Sequence, residues 1–137
     1  MKLVRLAAGL ILAAFMIFMG AQKFLGPNPV FSYIAEQSGI ALFEPVIRMA
    51  TGAGEIIAAL LILASLFAGA ARGLGAMLSL AIIGGAIGFH LSPWLGLSAP
   101  VAFAEDGSYV FSPMLFGMAV VFGGLSGVLV WLERKTG

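Results

Sequence analysis

Charged residues are missing from four long stretches of this chain. They are 6–22, between Arg5 and Lys23; 56–71, between Glu55 and Arg72; 73–104; and 107–132. A helix that crosses a bilayer needs about 20 mainly apolar residues. The stretches therefore predict four spanning helices, at about 4–25, 46–71, 73–94 and 112–132. Four such helices and two outer loops account for nearly all 137 residues, so the expected architecture is all-α, a single transmembrane domain over 1–137 folded as an integral membrane four-helix bundle.

Composition argues the same way. Hydrophobic residues make up 61% of the chain and charged residues 9%, against roughly 25% charged in an ordinary soluble domain. Seven Lys or Arg and six Asp or Glu cannot cover a soluble surface. A soluble enzyme and a disordered chain are both disfavoured. A net charge of +1 with no basic cluster leaves no footprint for nucleic acid. With no cysteine, the chain has no disulfide, thiolate metal site or thiol redox centre. One histidine excludes an internal bis-His haem.

Lys2 and Arg5 followed by an apolar run resemble a secretory leader. Met19 stands where a small residue would precede cleavage, so the segment reads as an uncleaved first helix. Lys2, Arg5, Arg72, Arg134 and Lys135 fall on one side of such a bundle, and only Lys23 and Arg48 on the other. The positive-inside rule then expects both termini in the cytoplasm. The first outer loop opens with Gly26-Pro27-Asn28-Pro29, a helix stop. Phe31, Ile34, Ala35, Ile40, Leu42 and Phe43 follow, which suggests a short amphipathic helix on the outer interface. In the second, Asp106-Gly107 between β-formers signals a hairpin, and Pro113 suits the first turn of the last helix.

Lipid offers helices no hydrophobic reason to associate, so close backbone contact must hold them. Three GxxxG pairs are candidates for that role: Gly69/Gly73, Gly84/Gly88 and Gly123/Gly127. They would pack the bundle or, alternatively, join copies of the chain. Seven methionines and 11 phenylalanines are expected as filler rather than as the wall of a cofactor pocket.

Ionisable groups inside a span are expensive, at about 2.5–3.5 kcal/mol for Arg, Lys or Asp at a helix centre, so they usually face inward and pair. Lys23, Arg48, Glu55 and His90 are the candidates here. At about 1.5 Å per residue, Glu55 lies roughly 6–15 Å deep, and all four occupy the outer third of the bundle. Glu55 has Lys23, His90 or Arg48 as possible partners. The groups either fix helix order or line a polar pocket that opens outward. Such a pocket would take a quinone carbonyl and move its protons, or equally hold a lipid headgroup or a small anion. Lys23 also suits a snorkelling anchor and His90 an interfacial one. A single His and a single Glu are too few ligands for zinc or non-haem iron, so no metal site is expected. No nucleophile–base pair, phosphate loop or dinucleotide fingerprint is present, and no intrinsic cofactor is implied.

Helix one begins Arg5-Leu6, passes Gly9 and Gly20, and ends Gln22-Lys23-Phe24-Leu25-Gly26. Helix two carries Gly52-Ala53-Gly54-Glu55, helix three ends Phe89-His90-Leu91, and Asp106-Gly107 precedes Leu115-Phe116. In these features the chain resembles the DoxX and DoxX-like family of small bacterial four-helix membrane proteins. The resemblance spans nearly the whole chain and implies the bacterial inner membrane. Family members have been tied to thiosulfate:quinone oxidoreductase, to membrane-associated oxidative-stress complexes and, in animals, to assembly of other membrane proteins. The positions matching the family pattern are Lys23, Glu55 and His90, with Asp106-Gly107.

Two functions are expected from these readings. One is a redox-linked, quinone-associated subunit with Lys23, Glu55 and His90 around the ligand. The other is a non-catalytic structural or assembly subunit that docks on a larger membrane complex. Enzymatic activity is left open. The expected partners are the lipid bilayer and other membrane subunits or further copies of the chain. A small transporter fits less well, because there is no repeat and no broken central helix.

Overall fold

The computed structural model describes residues 1–136, which are mostly helical with one small sheet. The helices are α1 (Lys2–Gln22), α2 (Pro29–Ser38), α3 (Val46–Ala68), α4 (Leu74–His90) and α5 (Met114–Thr136). A 3₁₀ turn, Ala41–Phe43, leads into α3, and strands β1 (Ala99–Phe103) and β2 (Tyr109–Ser112) lie between α4 and α5. Three stretches are long and apolar enough to cross a membrane: Lys2–Gln22, Ala41–Ala68 and Met114–Thr136. α4 is as apolar but has 17 residues, about 26 Å of helix against a hydrocarbon core of about 30 Å.

The helix ends differ from the expected ones for local reasons. α1 stops at Gln22 rather than residue 25, because Lys23 and Phe24 donate to carbonyls three residues back and Gly26 turns to a φ of +134°. α4 stops at His90 rather than 94. Ser92 Oγ takes the Phe89 carbonyl at 2.6 Å, and Pro93 disfavours helical backbone at the residue before it. α5 begins just after Pro113 and runs to Thr136, whose hydroxyl bonds the Leu132 carbonyl at 2.9 Å.

The long helices pack as neighbours, α1 on α3, α3 on α4, α4 on α5 and α5 back on α1. Leu12, Met16, Ala58, Ala59 and Leu129 are buried between them. Phe15 of α1 stacks on Phe122 of α5, with ring centroids 3.7 Å apart. α1 and α3 meet backbone to backbone at Gly20 and Gly52. A Cβ on Gly20 would stand 2.8 Å from the Gly52 carbonyl oxygen, and one on Gly52 would stand 2.9 Å from that of Gly20. Gly75 serves α4 in the same way against Ala58 and Ile62 of α3.

This corrects the expected packing pairs. Gly69 and Gly73 lie in the turn between α3 and α4 with φ near +67° and +79°, a conformation that favours glycine, and an added Cβ at either would meet nothing within 4 Å. Gly84, Gly88 and Gly127 face open space, and only Gly123 meets a neighbour, Ile83 and Ile87. Spacing alone puts two glycines on one face. Which face meets another helix depends on helix rotation. Gly52→Val is expected to cost about 1–3 kcal/mol by overpacking, while Gly84→Ala costs nothing and gains helix propensity. Equilibrium unfolding in detergent compares them, and equal effects would remove the Gly20–Gly52 crossing from the account.

The surface is inverted relative to a soluble protein. Leu3, Leu25, Phe67 and Val121 are 65–84% exposed. Lys23, Glu55, Ser79, His90, Ser126 and Glu133 are buried. Such a pattern suits lipid outside and polar groups gathered inside.

The two ends of the helices are closed differently. At the end that carries both termini, Glu133 of α5 accepts from Arg5 Nε at 2.9 Å, from Ser65 Oγ at 2.7 Å and from the Gly73 amide at 2.6 Å. Arg5 Nη2 also donates to the Ser65 carbonyl at 2.9 Å. One carboxylate thus ties α1, α3, α5 and the turn before α4. At the other end, Asn28 caps α2 by accepting from the Val30 amide at 2.9 Å. α2 forms where an amphipathic helix was expected, but its apolar side turns inward. Ile34 and Phe43 pack on Leu95 and Ala99. The strands pair antiparallel, Ala99 with Ser112 and Phe103 with Tyr109. In their turn Gly107 has a φ of +85°, and hydrogen bonds from Ser108 hold the Asp106 carboxyl below its usual range. Tyr109 donates to Glu36 of α2 at 2.8 Å. Partial burial and that carboxylate push the phenol up to about 12.

Candidate functional site

Lys23 and Glu55 stand three residues past Gly20 and Gly52, where α1 and α3 touch. The two helices run in opposite directions: Arg5 reaches Ser65 at one end, and Lys23 meets the start of α3 at the other. Helical side chains lean toward their own N-terminus. The lysine stem therefore folds back along α1, where Nζ donates to the Met19 carbonyl at 3.3 Å and to Glu55 Oε1 at 2.8 Å. Both side chains are less than 10% exposed. Glu55 Oε2 is buried and has no hydrogen-bond partner among the described residues. Buried polar atoms are rarely left in that state.

Arg48 is not part of this pair. Its Nε donates to Glu44 Oε1 at 2.6 Å, one turn back on the same chain, and Nη1 donates to the Lys23 carbonyl. Glu44 Oε2 in turn accepts from the Asn28 amide at 3.2 Å. Arg48 and Glu44 therefore hold the chain where α1 ends, behind Lys23, and neither lines the cavity described next.

The long helices enclose a partly open cavity of about 580 Å³, roofed by α2, the 3₁₀ turn and β1. Its wall is mostly apolar, with Phe15, Met19, Phe89 and Met118 among the lining residues. These aromatic and methionine side chains face a cavity where filler was expected. The polar residues of the wall are Gln22, Lys23, Asn28, Thr51, Glu55 and His90. An apolar cleft of this size with a few convergent polar groups has the general form of a small-molecule site.

His90 ends α4 at the wall. Its Nδ1 is 2.9 Å from the Gly96 carbonyl oxygen, and its ring lies edge-on to Phe116. A carbonyl only accepts, so Nδ1 carries a proton, and a neutral ring with that tautomer has Nε2 as its acceptor. Among the described residues no group of three or more His, Asp or Glu gathers as a metal cage.

Lys23, Glu55 and His90 thus share one cavity, and Arg48 stands outside it. Glu44 and Asn28 escape a reading by charge depth, because both look like loop residues. Gly20 and Gly52 leave a faint signal, the same three-residue offset from each charged partner. Compared with protein-family models, curated proteins and solved structures, the chain matches none. The fold and the site by themselves define a helical protein with an apolar exterior and a buried ion pair on the wall of an apolar cavity.

Proposed function

We propose that this chain is a DoxX-like integral membrane protein, a four-helix bundle of a bacterial inner membrane with both termini in the cytoplasm. In this reading it is a redox-linked subunit of a membrane complex and holds a quinone-class molecule in the cavity near the outer face. The observation that carries the reading is the cavity of about 580 Å³, apolar except where Lys23, Glu55, His90 and three neutral polar residues face it. A prenylated ring would place its tail along the Phe and Met wall. Its oxygens would meet Lys23, whose ammonium has a third N–H to give. Glu55 and His90 are then the groups positioned to take or return protons.

The inverted surface supports the bilayer as solvent. Lys2, Arg72, Arg134 and Lys135 at the end with the termini support the orientation. Gly84, Gly88 and Gly127 face outward with nothing near them and offer close-approach faces to another subunit.

Gly85 lines the cavity, and a Cβ there would meet nothing within 4 Å. Gly85→Phe is therefore expected to fill the cavity without disturbing the fold. Titrating a short-chain benzoquinone into the protein in nanodiscs, read by tryptophan quenching, should give saturable binding to the wild type. The Gly85→Phe protein should bind at least tenfold more weakly. Saturable binding that Gly85→Phe leaves unchanged would remove the ligand from this cavity, and failure of both the benzoquinone and its quinol to bind would sink the reading.

A further inference from the structure

We infer that the cavity selects the reduced, hydroxyl-bearing form of its ligand, a quinol over the corresponding quinone. This rests on the quinone-class reading above and goes on to say which redox state the site is built to hold.

The inference comes from counting donors and acceptors on the cavity wall. Lys23 Nζ has three N–H bonds to give, and two are engaged by Glu55 Oε1 and the Met19 carbonyl. The wall's ionisable groups therefore offer a single free donor. Their free acceptors are Glu55 Oε2, buried and unpartnered, and, in the neutral tautomer with Nδ1–H on Gly96, His90 Nε2. Gln22, Asn28 and Thr51 also line the cavity. Amides and hydroxyls both donate and accept, so these three read either form of a ligand. The ionisable groups decide.

A quinone ring carries two carbonyl oxygens and no donor. Its oxygens can take the one lysine proton, but against Glu55 Oε2 or His90 Nε2 they set acceptor on acceptor. A quinol carries two hydroxyls, each able to donate to one of those acceptors, and its oxygens can still accept from Lys23. The terminal torsion of a glutamate is broad. A modest turn of the carboxyl can therefore bring Oε2 to the ligand while Oε1 keeps Lys23. Leaving a buried acceptor unpaired is costly, whereas pairing it is favourable. The expected preference is on the order of tenfold in Kd. For a two-electron couple a tenfold preference for the reduced form raises the potential of the bound couple by about 30 mV.

Glu55→Gln tests the assignment directly. The amide oxygen can keep the Lys23 bond, which turns the NH₂ group toward the place of Oε2. The unpartnered acceptor becomes a donor of nearly the same shape, so the variant should lose the quinol preference or reverse it.

The experiment is calorimetric titration of a short-chain benzoquinone and of its quinol, under anaerobic conditions, into the full chain in nanodiscs. The Glu55→Gln and Gly85→Phe proteins are run alongside. The expected result is roughly tenfold tighter quinol binding by the wild type, no such preference in Glu55→Gln, and weak binding of both forms by Gly85→Phe. Equal affinities for the two forms in the wild type would overturn the inference and leave the quinone-class reading standing. Failure of both forms to bind would take the reading down, and the inference with it. A wild-type preference that survives Glu55→Gln would overturn the role given to Glu55. The wild-type comparison decides the central point even if the glutamine variant does not fold.

Discussion

Lys23→Met is expected to cost about 3–5 kcal/mol of folding free energy, and Glu55→Leu a similar amount, because each leaves its partner's charge buried without compensation. Solvent screening offers little relief, since both side chains are less than 10% exposed. Replacing both residues together should cost far less than the sum. A buried ion pair pays desolvation twice, and a well-packed apolar pair of similar volume often matches or exceeds it in stability. The double variant should therefore unfold within about 1 kcal/mol of the wild type, a coupling well above the 0.5–3 kcal/mol usual for contacting residues, if the vacated space closes. Equilibrium unfolding of the four proteins in mixed micelles measures the cycle. Additive losses would mean that the 2.8 Å contact contributes no coupling. The same double variant removes the charged wall of the cavity, so it should fold and fail to discriminate quinol from quinone. On the proposed reading, stability and recognition part company at this pair.

Glu133→Leu has the second large effect, also about 3–5 kcal/mol, and acts at the opposite end of the helices. The carboxylate is the common acceptor for Arg5, Ser65 and the Gly73 amide. Without it the Arg5 guanidinium, whose side chain is 14% exposed, keeps only the bonds to Ser65. The Gly73 amide at the start of α4 loses its acceptor, which is a helix N-terminus left open. The loss should be local before it is global. Hydrogen exchange should quicken in the turn between α3 and α4 and in the first turn of α1, while amides around the hairpin keep their protection. Ligand binding at the cavity should persist. Uniform loss of protection along the chain, or none in that turn, would show that Glu133 does not hold this end together.

Much of the architecture can be read along the chain. Uncharged runs report helices directly, because a charge inside a helix that faces lipid is costly wherever its neighbours lie. Gly26-Pro27 after α1 and Asp106-Gly107 in the hairpin turn are local backbone signals and need no tertiary knowledge. The candidates Lys23, Arg48, Glu55 and His90 follow from depth alone, which does not separate Arg48 from the three that line the cavity.

What one chain cannot show is how each helix is turned about its axis. The Gly20–Gly52 crossing sets that rotation for α1 and α3, and with it the choice of Lys23 over Arg48 as the partner of Glu55. Gly84, Gly88 and Gly127 have equally good spacing and face nothing, because spacing places residues on a face without saying what that face meets. Arg5, Ser65 and Glu133 lie 60 or more residues apart in sequence and read separately as a topogenic charge, a small residue and a tail acid. The chain by itself determined that long apolar helices form and roughly where each lies, to within a few residues at the ends, since solvation and backbone conformation act residue by residue. Only the tertiary structure decided which polar groups meet and that a cavity opens between them, because those depend on contacts among helices distant in sequence.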